Sequence, residues 1–275
     1  MEWHGRPYYS LDAFLKNTYG EKLYKIAVDA GFTCPNRDGT LGSGGCIFCS
    51  AGGSGEFAVK TADHPSVTDQ IETGLALFAH KRVGQRFIVY FQAYTNTYGS
   101  LPHLRALYTE ALRHPDVAGI SIATRPDCIS ENIVTMLVNL RQIFSDKFVW
   151  VELGLQTIHE KTADFIRRGY PLSVYDSCVG LLSQADIPVV THIIIGLPGE
   201  GEEALLSTID HLNQLDTWGV KLQLLHVLRD TAFAGFYHDG SYTPLARDAY
   251  IDLVIACLEH LSPDIVIHRL TGDGP

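Results

Sequence analysis

Three cysteines, Cys34, Cys46 and Cys49, fall within sixteen positions of one loop, while Cys128, Cys178 and Cys257 stand alone. Three soft thiolates close together select zinc, copper(I) or an iron–sulfur cluster. A structural zinc takes a fourth protein ligand, and no Cys or His follows Cys49 at finger spacing; His64, fifteen residues on, is the nearest. Three ligands on a four-iron cube leave one iron open, and an open iron can hold a substrate or cofactor. Gly39, Gly42, Gly44 and Gly45 let the backbone wrap a bulky inorganic core. The competing readings are a zinc site and a glycine-rich turn with unrelated buried cysteines; ligand count favours the cluster. The three isolated cysteines read as small buried hydrophobes and form no second motif of this kind.

Something must carry that loop. The 275 residues hold 21 Lys and Arg against 31 Asp and Glu, a net charge of −10, and 46% are hydrophobic. That supports a core and excludes wholesale disorder. No run of 18 apolar residues spans a membrane, and MEWHGRPYYS is no secretory signal, so the expected setting is cytoplasmic with reduced thiols. Strands are expected at 23–32, 86–92, 117–124, 148–156, 187–196 and 220–228, with a short last one at 265–268. Helical periods are expected from Pro65 on behind the N-cap Ser66, and at 101–113, 130–142, 159–186, 201–216 and 244–261. Near-continuous apolar strands alternating with helices mark a parallel sheet. Six full βα units fall short of the eight of a closed barrel, so the expected fold is α/β, an incomplete (β/α)6 TIM-like barrel. A flavodoxin-like or dinucleotide-binding sheet lacks its GxGxxG at the right place. One domain over 1–275 is expected, with an N-terminal extension of about 1–20. In such a barrel the cysteine loop, following the first strand, faces whatever the later strands present at their C-terminal ends.

The motifs CPNRDGT (Cys34 to Thr40), GGCIFC (Gly44 to Cys49), YFQAYTNTY (Tyr90 to Tyr98), TRPDC (Thr124 to Cys128), ELGLQT (Glu152 to Thr157), GLPGE (Gly196 to Glu200) and HRLTGD (His268 to Asp273) resemble a known family over essentially the whole chain. They resemble radical S-adenosylmethionine (radical SAM) proteins of the YhcC/YtqA group, whose core is similar to that of the Elongator catalytic subunit. The common CxxxCxxC spacing is replaced here by an eleven-residue first gap, shared by that subgroup, and Phe48 keeps the aromatic before the last cysteine. The group's proteins continue past HRLTGD, so the resemblance implies a naturally short or truncated C-terminus.

The resemblance implies a [4Fe-4S] cluster on Cys34, Cys46 and Cys49, reductive cleavage of SAM to a 5′-deoxyadenosyl radical, and an electron donor such as flavodoxin or ferredoxin. It implies SAM contacts for Gln92, at the place of the family's GGE segment, for Glu152, for Gln156 at the ribose, for Arg168 at the carboxylate with Arg167 competing, and for Gly196 against adenine. Arg125, spare beside that site, is expected to hold a substrate carboxylate and so to serve catalysis. His192 and His226 read as packed, hydrogen-bonded strand residues.

For the substrate, the resemblance implies tRNA: conversion of 5-carboxymethylaminomethyluridine to 5-aminomethyluridine at the wobble position. Chemistry rather than resemblance suggests the route, hydrogen abstraction from the carboxymethyl CH2 followed by loss of that group. A tRNA binder needs phosphate-facing cations, and the chain offers Lys22 with Lys25, Lys81 and Arg82 with Arg86, and Arg167 with Arg168. A radical SAM enzyme acting on a small metabolite suits the acidity better; a non-catalytic zinc protein is the remaining class.

Overall fold

A computed structural model describes residues 3–55, 57–59, 62–63, 66–78 and 84–272. Seven parallel strands pair in sequence order in one sheet: β1 Tyr24–Val28, β2 Phe87–Phe91, β3 Val117–Thr124, β4 Phe148–Gln156, β5 Val189–Ile195, β6 Gly219–Leu224 and β7 Val266–Arg269. The sheet is a half-barrel, open between β1 and β7, and the short last strand is its seventh member. His64, Pro65, Lys81, Arg82 and Asp273, all singled out in the sequence, lie outside the described residues.

Helices cross over between the strands. They are α2 Val67–Phe78, α3 Leu101–Arg113, α4 Glu131–Ile143, α5 Glu160–Phe165, α6 Leu172–Ser183, α7 Glu202–Asn213 and α9 Arg247–His260. The helical period expected over 159–186 is two helices, because the chain turns through Arg167 and Gly169, both at positive φ. The expected N-cap is in place, with the Ser66 hydroxyl accepting from the Asp69 amide at 3.0 Å. The main core lies between the helices and one face of the sheet, where Val89, Phe91, Ile120, Ile122, Val149, Val151, Leu153 and Leu222 project.

The period of two turns the alternate residues inward. Lys25, Tyr90, Ser121, Trp150, Glu152, His192 and Lys221 therefore face the lumen of the half-barrel. Two further helices, α1 Leu11–Tyr19 and α8 Phe233–His238, were not legible in the sequence. α1 starts at Ser10, whose hydroxyl caps the Ala13 amide at 3.2 Å. Its Leu15 packs with Leu23, Ile88, Ala118 and Trp150, so this helix closes the lumen at the N-terminal ends of the strands. The extension before it joins the sheet edge, since Ile267 donates its amide to the Tyr9 carbonyl at 2.8 Å.

Candidate active site

The cysteine loop leaves β1 and folds over the C-terminal ends of the strands. A second apolar cluster, with Ile47, Ile166, Leu197, Leu225 and Phe233, anchors it from below. The Ile47 amide bonds to the Ile166 carbonyl at 3.1 Å, and the Phe233 amide to the Ile47 carbonyl at 2.9 Å. The otherwise illegible α8 thus clamps the loop. Asn36, buried, donates through Nδ2 to the Arg167 carbonyl (2.8 Å), the Arg168 carbonyl (3.2 Å) and the Cys46 Sγ (3.5 Å). Arg37 donates to the Cys49 carbonyl at 3.0 Å and also to the Ser50 carbonyl. At Gly53 a Cβ would stand 2.3 Å from the Tyr94 ring, so only glycine lets that ring close over the loop.

Cys34, Cys46 and Cys49 line one cleft of 180 Å3 together with Gln92, Arg125, Glu152, Gln156 and Arg168. Burial pushes the Cys46 thiol up to about 11 and raises Cys49 as well, so both carry protons until a metal displaces them. Among the described residues no group of three His, Cys, Asp or Glu side chains converges to hold one metal ion. Thiolates on one zinc each sit at about 2.3 Å from it. Three thiols lining one cleft would suit a [4Fe-4S] cluster that keeps one iron open.

Gln156 supplies an independent sign of a ligand. It ends β4 at φ 64°, past a register break against β5, and its Oε1 is buried with no hydrogen-bond partner. An orphaned acceptor is costly to keep, and strain of this kind gathers at ligand sites. Gly154 makes the arrangement possible, because a Cβ there would lie 2.7 Å from the Gln156 Nε2. Gln92 donates Nε2 to the Ser54 carbonyl at 2.6 Å. Gly196, at φ 91°, is not among the described residues lining the cleft; its carbonyl accepts from the Tyr242 hydroxyl at 2.8 Å.

The arginines need the largest revision. Arg125 is not spare: it is 8% exposed, grips Asp127 through Nε (2.9 Å) and Nη2 (2.7 Å), and donates Nη1 to the Arg168 carbonyl at 2.9 Å. Its fork is taken by a carboxylate of its own chain two residues on. Arg168, 2% exposed, donates to the carbonyls of Tyr170 (2.9 Å), Leu155 (3.1 Å) and Thr157 (2.6 Å) and to Glu160 (3.1 Å). Four of its five N–H groups are engaged, so it offers an incoming carboxylate one donor. Arg167 is exposed, and its backbone, not its side chain, contacts the loop. Cys178 and Cys257 are buried as expected, whereas Cys128 is half-buried, its Sγ 3.9 Å from Asp127.

Beneath the cleft lies a charged cluster that pattern reading missed. Glu152 is fully buried and accepts from Lys25 (2.7 Å), Ser121 (2.6 Å) and His192 (2.7 Å), and from Lys221. Despite its burial, Lys221, Lys25 and His192 hold Glu152 well below the usual carboxylate range. Burial pulls His192 down to about 4, and Lys221 opposes its charging too. Both shifts act the same way on stability. Between about pH 6.5 and 4 the unfolded chain takes up a proton that His192 refuses, and below about pH 4.5 it takes up another that Glu152 refuses. Stability of the reduced, metal-free protein should therefore fall as pH falls from 6.5 to 4, by on the order of 2–3 kcal/mol from His192. Thermal melts across that range check it. His192→Gln should flatten the slope in part, since His268 is also held down by burial; an equally steep slope in H192Q would exclude His192 as a source.

The model of the Radical SAM superfamily matches residues 34–212, which begins at the first of the three cysteines. The chain belongs to the radical SAM superfamily. The Radical SAM C-terminal domain matches residues 217–275. The chain is 41% identical to the uncharacterised protein YtqA of Bacillus subtilis (strain 168), over 98% of this chain and 82% of that one. It is 33% identical to protein YhcC of Escherichia coli (strain K12), over 94% and 82%. Among solved structures it resembles Elp3 of Methanocaldococcus infernus at a TM-score of 0.69 and 16% identity, covering 92% of this chain and 57% of that one. This radical SAM protein is thus a SAM-dependent iron–sulfur enzyme whose half-barrel is that of its superfamily. Among the described residues no helix is long and apolar enough to cross a membrane.

Proposed function

We propose that this radical SAM enzyme acts on a tRNA wobble uridine bearing a carboxymethylaminomethyl group and converts it to the aminomethyl form. Cys34, Cys46 and Cys49 would hold a [4Fe-4S] cluster and Gln92, Gln156 and the one remaining donor of Arg168 would hold SAM; Glu152, bonded by its four partners, positions the floor of the site. When bound, the cluster and SAM supply reductive cleavage of SAM to methionine and a 5′-deoxyadenosyl radical. The observation that carries the reading is the shared cleft of three thiols and an orphaned buried Gln156 Oε1, which a ribose hydroxyl would satisfy as donor. The chain's own groups exclude water and fix position. What supports the substrate is the resemblance of the motifs to the YhcC/YtqA group, together with the chemistry of the target, whose CH2 lies between a nitrogen and a carboxylate that both stabilise a radical. We place the enzyme in the cytoplasm, as one radical SAM core over 1–275, reduced by a flavodoxin or ferredoxin.

A small-metabolite substrate is favoured by one finding. The cations expected to face phosphates are largely committed: Lys25 points into the lumen, Arg86 pairs with Glu21 at 2.8 Å, and Arg168 is buried. Mass analysis of tRNA from a deletion strain discriminates. Accumulated carboxymethylaminomethyluridine supports the tRNA reading; unchanged wobble uridines, with a reconstituted enzyme that cleaves SAM yet leaves the modified tRNA intact at low salt, overturn it. Binding of tRNA should also weaken steeply with salt.

Gly154→Ala tests the SAM contact. The new methyl would displace the Gln156 amide, so SAM affinity should fall by up to about tenfold, the worth of one hydrogen bond, with cluster content unchanged. Unaltered SAM affinity in G154A would remove Gln156 from the site.

A further inference from the structure

Below the cysteine cleft, and sharing Tyr90, Gln92, Lys221, Gln223 and Arg269 with it, is a larger cavity of 770 Å3 in the half-barrel lumen. That volume lies in the range of small-molecule sites. It is lined from both open edges of the sheet, by Lys25 on β1 and by His268 and Arg269 on β7. Its electrostatics are unbalanced. Among the described residues lining either cavity, Glu152 is the one carboxylate, and it already serves both Lys25 and Lys221. Arg269 stands beside Lys221 in the β6–β7 register, and its guanidinium makes no hydrogen bond or ion pair with the described residues. Of the cleft's other arginines, Arg125 and Arg168 are paired with Asp127 and Glu160, and Arg37 is turned to the Cys49 and Ser50 carbonyls of the cysteine loop.

Buried Lys221, half-buried Lys25 and exposed Arg269 face one carboxylate in a concave space, and that excess of positive charge attracts an anion. The lysines are held for it. Lys221 stands 4.4 Å and Lys25 4.7 Å from the centre of the Tyr90 ring, which braces both ammonium groups. Burial pulls Lys221 down to about 7 against the attraction of Glu152, and an arriving anion would restore its charge. Gln92 and Gln223 add uncharged amide groups to the lining, which suit the edge of a base.

We propose that the lumen binds the carboxylate of the substrate between Lys221 and Arg269, with Lys25 behind them, and that Arg125 is not its anchor. The identity of the carrier rests on the wobble-uridine reading; the anion site itself does not.

Two probe pairs separate those dependencies, on reconstituted holoenzyme with SAM bound. The first is 5-carboxymethylaminomethyluridine nucleoside against its methyl ester. The second, without a nucleoside, is N-benzylglycine against benzylamine. The acid of each pair should bind at least tenfold more tightly than its uncharged or cationic counterpart. Arg269→Gln and Lys221→Met should each reduce that preference to threefold or less. Arg269 is exposed at a strand end, so R269Q keeps the test valid if K221M does not fold. Preference for N-benzylglycine without binding of the nucleoside would retain the anion site and discard the uridine. Equal binding of nucleoside acid and ester would retain the uridine and overturn the anion site, as would no binding of either acid at millimolar concentration. An unchanged preference in R269Q would remove Arg269 from it.

Discussion

Alanine at Cys34, Cys46 or Cys49 should abolish the reconstituted cluster and SAM cleavage together, while alanine at Cys128, Cys178 or Cys257 should preserve both. The asymmetry follows from where the thiols lie. The first three line one cleft over the strand ends; Cys178 and Cys257 are packed within the main core, and Cys128 abuts Asp127. A cube held by three protein thiolates has no spare protein ligand, so each loss falls on the cluster as a whole. Absorbance near 400 nm, iron content and production of 5′-deoxyadenosine after reduction check it. Full cluster content in C46A would refute the assignment. The buried sulfurs carry a separate cost: C178A and C257A each leave a small cavity and should lower stability by about 1 kcal/mol, which melts would register without loss of colour.

Replacing Glu152 has the next largest expected effect, this time on stability. The residue is fully buried and bonded to Lys25 and Lys221, whose side chains are 22% and 6% exposed. Glu152→Ala leaves those ammonium groups facing one another without a counter-charge, and removing one member of such a set costs roughly 3–5 kcal/mol. That is a large part of the 5–15 kcal/mol typical of a folded domain. Glu152→Leu combined with Lys221→Met should recover part of the loss, because the cavity then holds one fewer unpaired cation. Denaturant titration of the reduced protein measures both. An E152A variant within 1 kcal/mol of the parent would show that water already relieves the cluster.

The cysteine loop and the strand order were written in local pattern. Sixteen residues contain all three clustered thiols, so spacing alone singled them out as candidate ligands, and the apolar runs at 117–124 and 148–156 became β3 and β4 without change. Helix 101–113 likewise matched its expected bounds, since its period and the flanking Ser100 and Pro102 are local signals. The α1 helix escaped because its role lies elsewhere: Leu15 and Phe14 meet residues of β2, β4 and the turn before β6, including Trp218 at 4.9 Å from Phe14. Its weak local signal becomes meaningful only when the sheet curves round to receive it.

What the sequence determined by itself was the chemistry at the mouth: three thiols, the strand that delivers them, and a parallel sheet able to bring successive strand ends together. What only the tertiary structure decided was which charges meet. Lys25 and Lys221 lie 127 and 69 residues from Glu152, and each alone reads as a solvated cation. Arg125 and Arg168 read as free anion binders until their carbonyl and carboxylate partners are seen. The reason is physical. Spacing and periodicity record interactions within one turn or one strand, but pairing across a lumen depends on the register and curvature of the strands between. One residue of slip in any of them would turn its inward polar side chains to the helical face and dissolve the cluster.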